Sequence, residues 1–554
     1  MKKRIILAGL LASIMLLSAC NTGNKNSGNN PSEAASNATS NAASNEASSE
    51  ASSEAPKEPI TLTLFDKNVG DPFTNPVAKE ITDRTGVFIE IQQPTGNPDE
   101  KLNLMLVSGD LPDIALIDRR EATMNKYIAG GAFIPLNDLI DQYAPNIKAR
   151  YGDVLSKSVY EDGKNYYLNN WYGLDPNPNW AINMRMDILE EFGYGERAKA
   201  GDSFTQEEFL DLLRKFKAKY PDVDGKPSIP MTVNAEHMPT IIGSFKAMYG
   251  MKTYYEKDGR LEFIVRDPRY LEMIKYINNL YTEGLLDREW GINKAQNYAQ
   301  KTASGRVFAT AGGVVNEANT AFRAELGEDT NHLFYAFKVT APGVDPQKTT
   351  YGPRSSLGWD GVGITVANKH PVETIKFLDF LASEEGQYLL MWGKEGENWT
   401  MENGVHVPKK EALDAMSADW AGFSKTTGAR KWTWMIRNGL GEDGTAYDLI
   451  FGYHKDNVNQ HALKSMEGSS WDTALYDDLG PKAGSPDALS EQKIKDIIDN
   501  SFSAMVYAKS QDEIDGMYKK MIAELDANSA VKIEDIYTAN YKVRMDLYNS
   551  AESK

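Results

Sequence analysis

Ile60-Thr61-Leu62-Thr63-Leu64-Phe65, followed by Pro76 to Gly86, Val87-Phe88-Ile89-Glu90-Ile91, Asp99 to Ser108 and Asp113-Ile114-Ala115-Leu116-Ile117, is the stretch on which the fold turns. The first run alternates apolar and polar residues at the spacing of a strand. Pro76 suits the first turn of a helix and Gly86 its end, and the β-branched run after it reads as a second strand. From Asp99 to Ser108, Leu102, Met105 and Leu106 share one helical face. Gly109 and Pro112 then stop that helix ahead of a short apolar strand. Strand, helix, strand, helix, strand predicts an α/β fold whose sheet is mostly parallel and covered by helices.

Upstream of this unit the chain changes character twice. Lys2, Lys3 and Arg4 precede an apolar run from Ile5 to Leu17, the order of a secretory signal, and that run is shorter than the roughly 20 residues a bilayer span needs. Leu17-Ser18-Ala19-Cys20 resembles the bacterial lipobox, in which cleavage before the cysteine exposes a thiol that receives lipid. Residues 1–19 are therefore expected to be removed and Cys20 to be lipidated. Cys20 is the only cysteine among 554 residues, which excludes an intrachain disulfide and a Cys-based zinc site. Residues 20–58 are almost all Ser, Asn, Ala, Glu and Gly, too polar to offset the entropy of ordering, and are expected to form a disordered tether.

Ser108-Gly109-Asp110-Leu111-Pro112-Asp113-Ile114 closes the opening unit, with Asp110 placed to bond nearby backbone amides. Further on come Tyr160-Glu161-Asp162-Gly163-Lys164-Asn165-Tyr166-Tyr167, a hairpin with an Asp-Gly turn, and Asn183 to Gly193 with Arg185 and Asp187 in Arg-x-Asp spacing. Phe377-Leu378-Asp379-Phe380-Leu381-Ala382-Ser383-Glu384-Glu385-Gly386-Gln387 has a helix face at Ile375, Leu378, Phe380 and Leu381. Together these motifs resemble the family 1 extracellular solute-binding proteins of ABC importers, over residues 60 to 550. The resemblance is to their large, lipid-anchored, carbohydrate-binding members of Gram-positive type.

The resemblance implies a two-lobed, periplasmic-binding-protein-like fold of type II with a ligand cleft between the lobes. Lobe 1 would comprise residues 59–175 plus 303–370 and lobe 2 residues 176–302 plus 371–554. Helical patterns at 491–505, 511–527 and 531–547 would extend the second lobe. Some family members hold calcium in an acidic loop. Here Asp222-Val223-Asp224-Gly225-Lys226-Pro227 offers two carboxylates where calcium wants six to eight oxygens, so no calcium is expected.

Sugar recognition calls for flat aromatic faces and for groups that both donate and accept to hydroxyls. Among ten Trp and 27 Tyr, those in loops are the candidates: Trp171, Tyr172 and Trp180 around a Pro- and Asn-rich segment, Trp359 with Asp360, and Trp399. Trp392 lies in an apolar helical pattern and is assigned to packing. Trp432 and Trp434 alternate as if on a strand from Lys431 to Ile436. Ligands in open α/β sheets sit beyond the carboxyl ends of strands, which adds Asp66 and Lys67, Asp118 and Arg119, and Asn316 and Glu317. Taken singly, each is also what a helix cap or surface charge looks like.

With 78 acidic and 60 basic residues the formal net charge is -18, which disfavours nucleic acid and anionic head groups. Six His show no paired ligand spacing, and neither a nucleophile elbow nor a P-loop occurs, so no metal, cofactor or catalytic residue is expected. The reading is of a monomeric, lipid-anchored oligosaccharide-binding component on the outer face of the cytoplasmic membrane. Its partners would be the transmembrane subunits of an ABC permease, and it would touch membrane through the lipid alone. Alternatives are a receptor for peptides or other solutes, a lipoprotein presenting ligand to a sensor kinase, and a surface-anchored glycan enzyme.

Overall fold

Nine strands in two sheets carry the architecture: β1 (Ile60–Asp66), β2 (Val87–Gln92), β3 (Ile114–Asp118), β4 (Leu168–Asn169), β5 (Trp180–Arg185), β6 (Ile229–Thr232), β7 (Val307–Gly313), β8 (Phe334–Phe337) and β9 (Asp360–Ile364). The computed structural model describes residues 58–552, apart from 69, 121, 172–178, 314–315, 328–331, 450–456 and 483. Cys20, the signal and the tether thus lie outside the described residues, as does Tyr172.

The first sheet has the order β2-β1-β3-β9-β4, with β1 parallel to β2 and β3, and β9 antiparallel to β3 and β4. The opening unit forms as its residues dictate. Asn75 caps the helix Pro76–Thr85 through the Ala78 amide, and Gly86 ends it with φ 68°. Asn97 caps the next helix, Pro98–Ser108, one residue ahead of the expected start. The carboxylate that fastens the following turn is Asp113, not Asp110: it accepts from the Thr63 amide at 2.8 Å and the Thr63 hydroxyl at 2.9 Å, locking β3 to β1. Asp110 is exposed.

The second sheet has the order β8-β5-β7-β6, β7 lying antiparallel to β5 and parallel to β6. Here the structure departs from the expected division of the chain. Residues Val307 to Gly312 are buried on both faces as a central strand of the second sheet, so the segment from about 303 to the end of β8 belongs to lobe 2. Conversely, Ile375, Phe377, Leu378 and Leu381 of the helix Pro371–Ala382 pack with Leu62, Ile89, Ile114 and Leu168 in the core of lobe 1. Helical and strand periodicity name a buried face, but they do not say which sheet will cover it.

Two further expectations shift. Trp432 precedes a short 3-10 turn, Thr433–Met435, that contains Trp434, and Trp432 is fully buried with its ring 5.0 Å from Phe73. The C-terminal helices Pro486–Val506 and Gln511–Ala527 pack on lobe 2 through Phe502, Met505, Ile514 and Met521. The last helix, Ala530–Glu552, bridges the lobes: Ile533 and Tyr537 enter the second core, Tyr548 the first. Trp392 is core, as its pattern implied.

Candidate functional site

The chain leaves the first sheet at the end of β4, beside the start of β9 and the carboxyl end of β3. It enters the second sheet at Trp180, the first residue of β5, which pairs with Gly313 at the carboxyl end of β7. The return passes from Tyr351, whose carbonyl accepts from the Trp180 amide at 2.9 Å, to Trp359 and Asp360. The ends of both sheets therefore meet across the same pair of crossing segments. This is the place where open α/β sheets present ligand groups.

On the first wall, Lys67 Nζ lies 2.8 Å from Asp360 Oδ1 and 3.9 Å from Asp118 Oδ2. Asn68 Nδ2 donates to the other Asp360 oxygen at 3.0 Å. Burial pushes the Asp360 carboxyl up against the pull of Lys67. Burial also works against the Asp118 charge, but hydrogen bonds from Arg120 (2.9 and 2.6 Å) outweigh it and hold that carboxyl below its ordinary value. Beside this cluster the half-buried rings of Trp171 and Trp359 meet edge to face at 6.5 Å. Asn170 sets their positions, its Oδ1 accepting from the amides of Trp359 (3.1 Å) and Asp360 (2.9 Å).

The second wall is a cavity of about 460 Å³ at the strand ends, lined among others by Trp180, Asn183, Asn234, His237, Tyr298 and Thr310. Trp180 lies on the helix Met238–Met248 at Gly243, where an added Cβ would stand 2.7 Å from the indole. Asn183 Nδ2 donates to the Gly313 carbonyl at 2.9 Å, which orients its amide at the cavity.

Of the residues nominated from sequence, Lys67, Asp118, Trp171, Trp180, Trp359 and Asp360 come together around the crossings. Asp66 is fully buried and accepts from the Asn68 amide, so it shapes the turn. Arg119 is buried too, pinned among Ser355, Asp477 and Asp478. Trp399 is placed elsewhere: it is 7% exposed, its indole donates to the Gly393 carbonyl, and it packs against Tyr388 and His406 in the first core. Asn316 and Glu317 begin the helix Asn316–Leu326 after β7, with side chains outside the described set. Asn170, Arg120, Asn183, Asn234 and Tyr298 are new. Only Asn183 carried a signal, as a polar residue inside the apolar run Ala181 to Met184.

Aromatic faces, amides and paired charges at the strand ends of the two sheets make surfaces for holding a solute, and two α/β lobes joined by crossings define a two-lobed solute-binding fold. The chain belongs to the bacterial extracellular solute-binding protein family, whose pattern matches residues 66–388. It is similar to lipoprotein LipO of Bacillus subtilis (strain 168), 23% identical over 60% of this chain and 65% of that one. It is also similar to FusA of Streptococcus pneumoniae serotype 4, named as a fructooligosaccharide ABC transporter substrate-binding protein, at 24% identity over 53% of this chain and 55% of that one. The matches thus span less than two thirds of either relative. An HMO-binding, ABC-transporter-associated solute-binding protein from Bifidobacterium longum infantis shares the fold with a TM-score of 0.65, at 17% identity, over 88% of this chain and 99% of that one.

Proposed function

We propose that this protein is the lipid-anchored substrate-binding component of an ABC importer, capturing an oligosaccharide between its lobes and delivering it to a membrane permease. The observations that carry the reading are the edge-to-face pairing of Trp171 and Trp359 and the amide-lined cavity beside Trp180. Pyranose and furanose rings offer C–H faces to indoles and hydroxyls to amides, which donate and accept at once. The names of FusA and of the HMO-binding protein agree with a carbohydrate ligand. Closure of the lobes would bury the ligand, and ligand favours the closed state only by its differential affinity for it.

A thermal-shift screen against glycans tests this, since a ligand at 100 times its dissociation constant should stabilise the fold by about 2.7 kcal/mol. With a hit in hand, Trp171→Ala and Trp359→Ala should each weaken binding roughly tenfold or more, about 1.4 kcal/mol or above. Gly243→Val should do likewise by displacing the Trp180 ring without altering the indole itself. Unchanged affinity in all three would remove these aromatics from the site.

The anchor has its own test. Cells producing Cys20→Ala should release the protein into the medium, whereas the parent stays with the membrane fraction. Equal partitioning of the two would argue against lipid at Cys20.

A further inference from the structure

The helix Ala530–Glu552 is fastened to the two lobes unequally. Its first half is closely stitched to lobe 2, with Ile533 and Tyr537 inside the second core. There the Phe263 amide donates to Glu534 at 3.1 Å, the Leu261 amide to Thr538 Oγ1 at 3.0 Å, and the Tyr537 hydroxyl to Glu491 at 2.6 Å. Asn540 donates to the Leu479 carbonyl at 3.0 Å, and the Tyr541 ring stacks on Tyr476 at 5.4 Å. Beyond Tyr541 the polar fastenings to lobe 1 are weak. Arg544 Nη1 reaches the Ala474 carbonyl only at 3.5 Å, longer than a good N–H···O bond. The Tyr548 ring enters the first core, with Lys157 Nζ 4.9 Å from its centre. The Tyr548 hydroxyl is buried and has no hydrogen-bond partner among the described residues.

An unmatched hydroxyl taken out of water penalises the docked end of the helix, whereas the satisfied bonds on lobe 2 carry no such penalty. When the lobes separate, the helix therefore stays with lobe 2 and lets go at Tyr548. Room for the movement exists, because a groove of about 1010 Å³ lies between Val543, Arg544 and Leu547 of the helix and Lys157, Tyr160 and Tyr167 of lobe 1. A helix rooted in one lobe and gripping the other opposes their separation until the grip is released. Building on the lobe closure of the capture proposed above, we infer that Tyr548 is a releasable latch, a positioning residue that governs from inside the first core how far the ligand-free lobes part. Its hydroxyl keeps the latch weak enough to open, and the balance of docked and released states follows from that difference.

Spin labels at Val107→Cys in lobe 1 and Ile292→Cys in lobe 2, both exposed positions, report the interlobe distance in the ligand-free full chain carrying Cys20→Ala. Tyr548→Ala should broaden the distance distribution toward longer separations and speed hydrogen exchange of amides 543–550 roughly tenfold or more. Tyr548→Phe keeps the ring and removes the unmatched hydroxyl, so it should narrow the distribution and slow that exchange. Ile89→Ala truncates the same core on the edge strand β2; it should lower the urea midpoint and leave the distances as they were. A Tyr548→Ala distribution matching the parent, a Tyr548→Phe distribution no narrower than the parent, or equal broadening in Ile89→Ala would overturn the latch. Should Tyr548→Ala not fold, Tyr548→Phe decides alone. None of these measurements involves a sugar, so their failure leaves the oligosaccharide reading standing, and a glycan screen without hits leaves the latch standing.

Discussion

Replacing Arg119 by Ala should destabilise the fold by about 3–5 kcal/mol, read as an earlier midpoint in urea. The residue is 1% exposed, and all three guanidinium nitrogens donate. Nε serves the carbonyls of Leu357 (3.1 Å) and Gly358 (2.9 Å). One terminal nitrogen reaches Ser355 Oγ at 2.7 Å and Asp477 at 2.5 Å, and the other reaches Asp478 at 3.3 Å. Burial works against the charge, but Asp477 and Asp478 outweigh it and hold the guanidinium above its ordinary pKa. Ala would leave two carboxylates facing each other and the Gly358 carbonyl without its donor, whereas Leu357 O keeps the Asn169 amide and Ser355 Oγ the Leu357 amide.

The cost of Arg119→Ala should lie mainly in those abandoned carboxylates, not in the pair as such. Arg119→Met combined with Asp477→Asn and Asp478→Asn should therefore recover much of the lost stability, although three charges have gone. A triple variant no more stable than Arg119→Ala would assign the loss to packing of the arginine stem. An unchanged midpoint in Arg119→Ala would refute the pin altogether. The bonds join the end of β3 to the 355–358 crossing and to the 477–478 segment leading into the C-terminal helices, so melting should lose both lobes together.

Why Arg119 read as a cleft residue, and not as a pin, shows how far local pattern reaches. Its place after β3 is set by the alternation and stop signals around residues 108–117, and the sequence supports that placement directly. Its partners lie some 240 and 360 positions along the chain, and no spacing rule connects them. The same limit explains the misplaced lobe boundary. Val307 to Ala311 is recognisable as a buried strand, yet only pairing with β5 and β6 decides its lobe. Trp399 failed for a related reason: a tryptophan after Gly396-Glu397-Asn398 looks loop-borne, but the small hairpin it opens brings both Trp399 and His406 onto Tyr388.

What was legible was whatever depends on neighbours within a few residues: the helix stops at Gly86 and Gly109, the β-α-β-α-β order, the Asp-Gly turn at Gly163 and the core assignment of Trp392. Half of the proposed site shares that origin, because strand ends are local features and Lys67, Asp118 and Asp360 sit at them. The other half, Asn170, Asn234 and Tyr298, consists of ordinary polar or aromatic residues that topology alone brings to the cleft.

Gly358→Ala should damage stability and binding together. Gly358 has φ +69°, and an added Cβ would stand 1.7 Å from the Asn170 carbonyl oxygen and 2.8 Å from its Oδ1. The left-handed backbone alone costs an alanine about 1–2 kcal/mol, and forced movement of a packed neighbour about 1–3 kcal/mol more. Gly396→Ala separates the two effects, since Gly396 has φ +78° and a Cβ added there would meet nothing within 4 Å. That variant should show the backbone cost only and bind ligand normally. In Gly358→Ala the yielding partner is Asn170, whose amide oxygen holds the backbone of Trp359 and Asp360 and whose successor is Trp171. Both indoles of the proposed ligand surface must then shift, so affinity should fall at temperatures where the variant remains folded. Equal urea midpoints for the two alanine variants would show that the crossing yields freely at Asn170, and full affinity in Gly358→Ala would uncouple that contact from the Trp171–Trp359 pair.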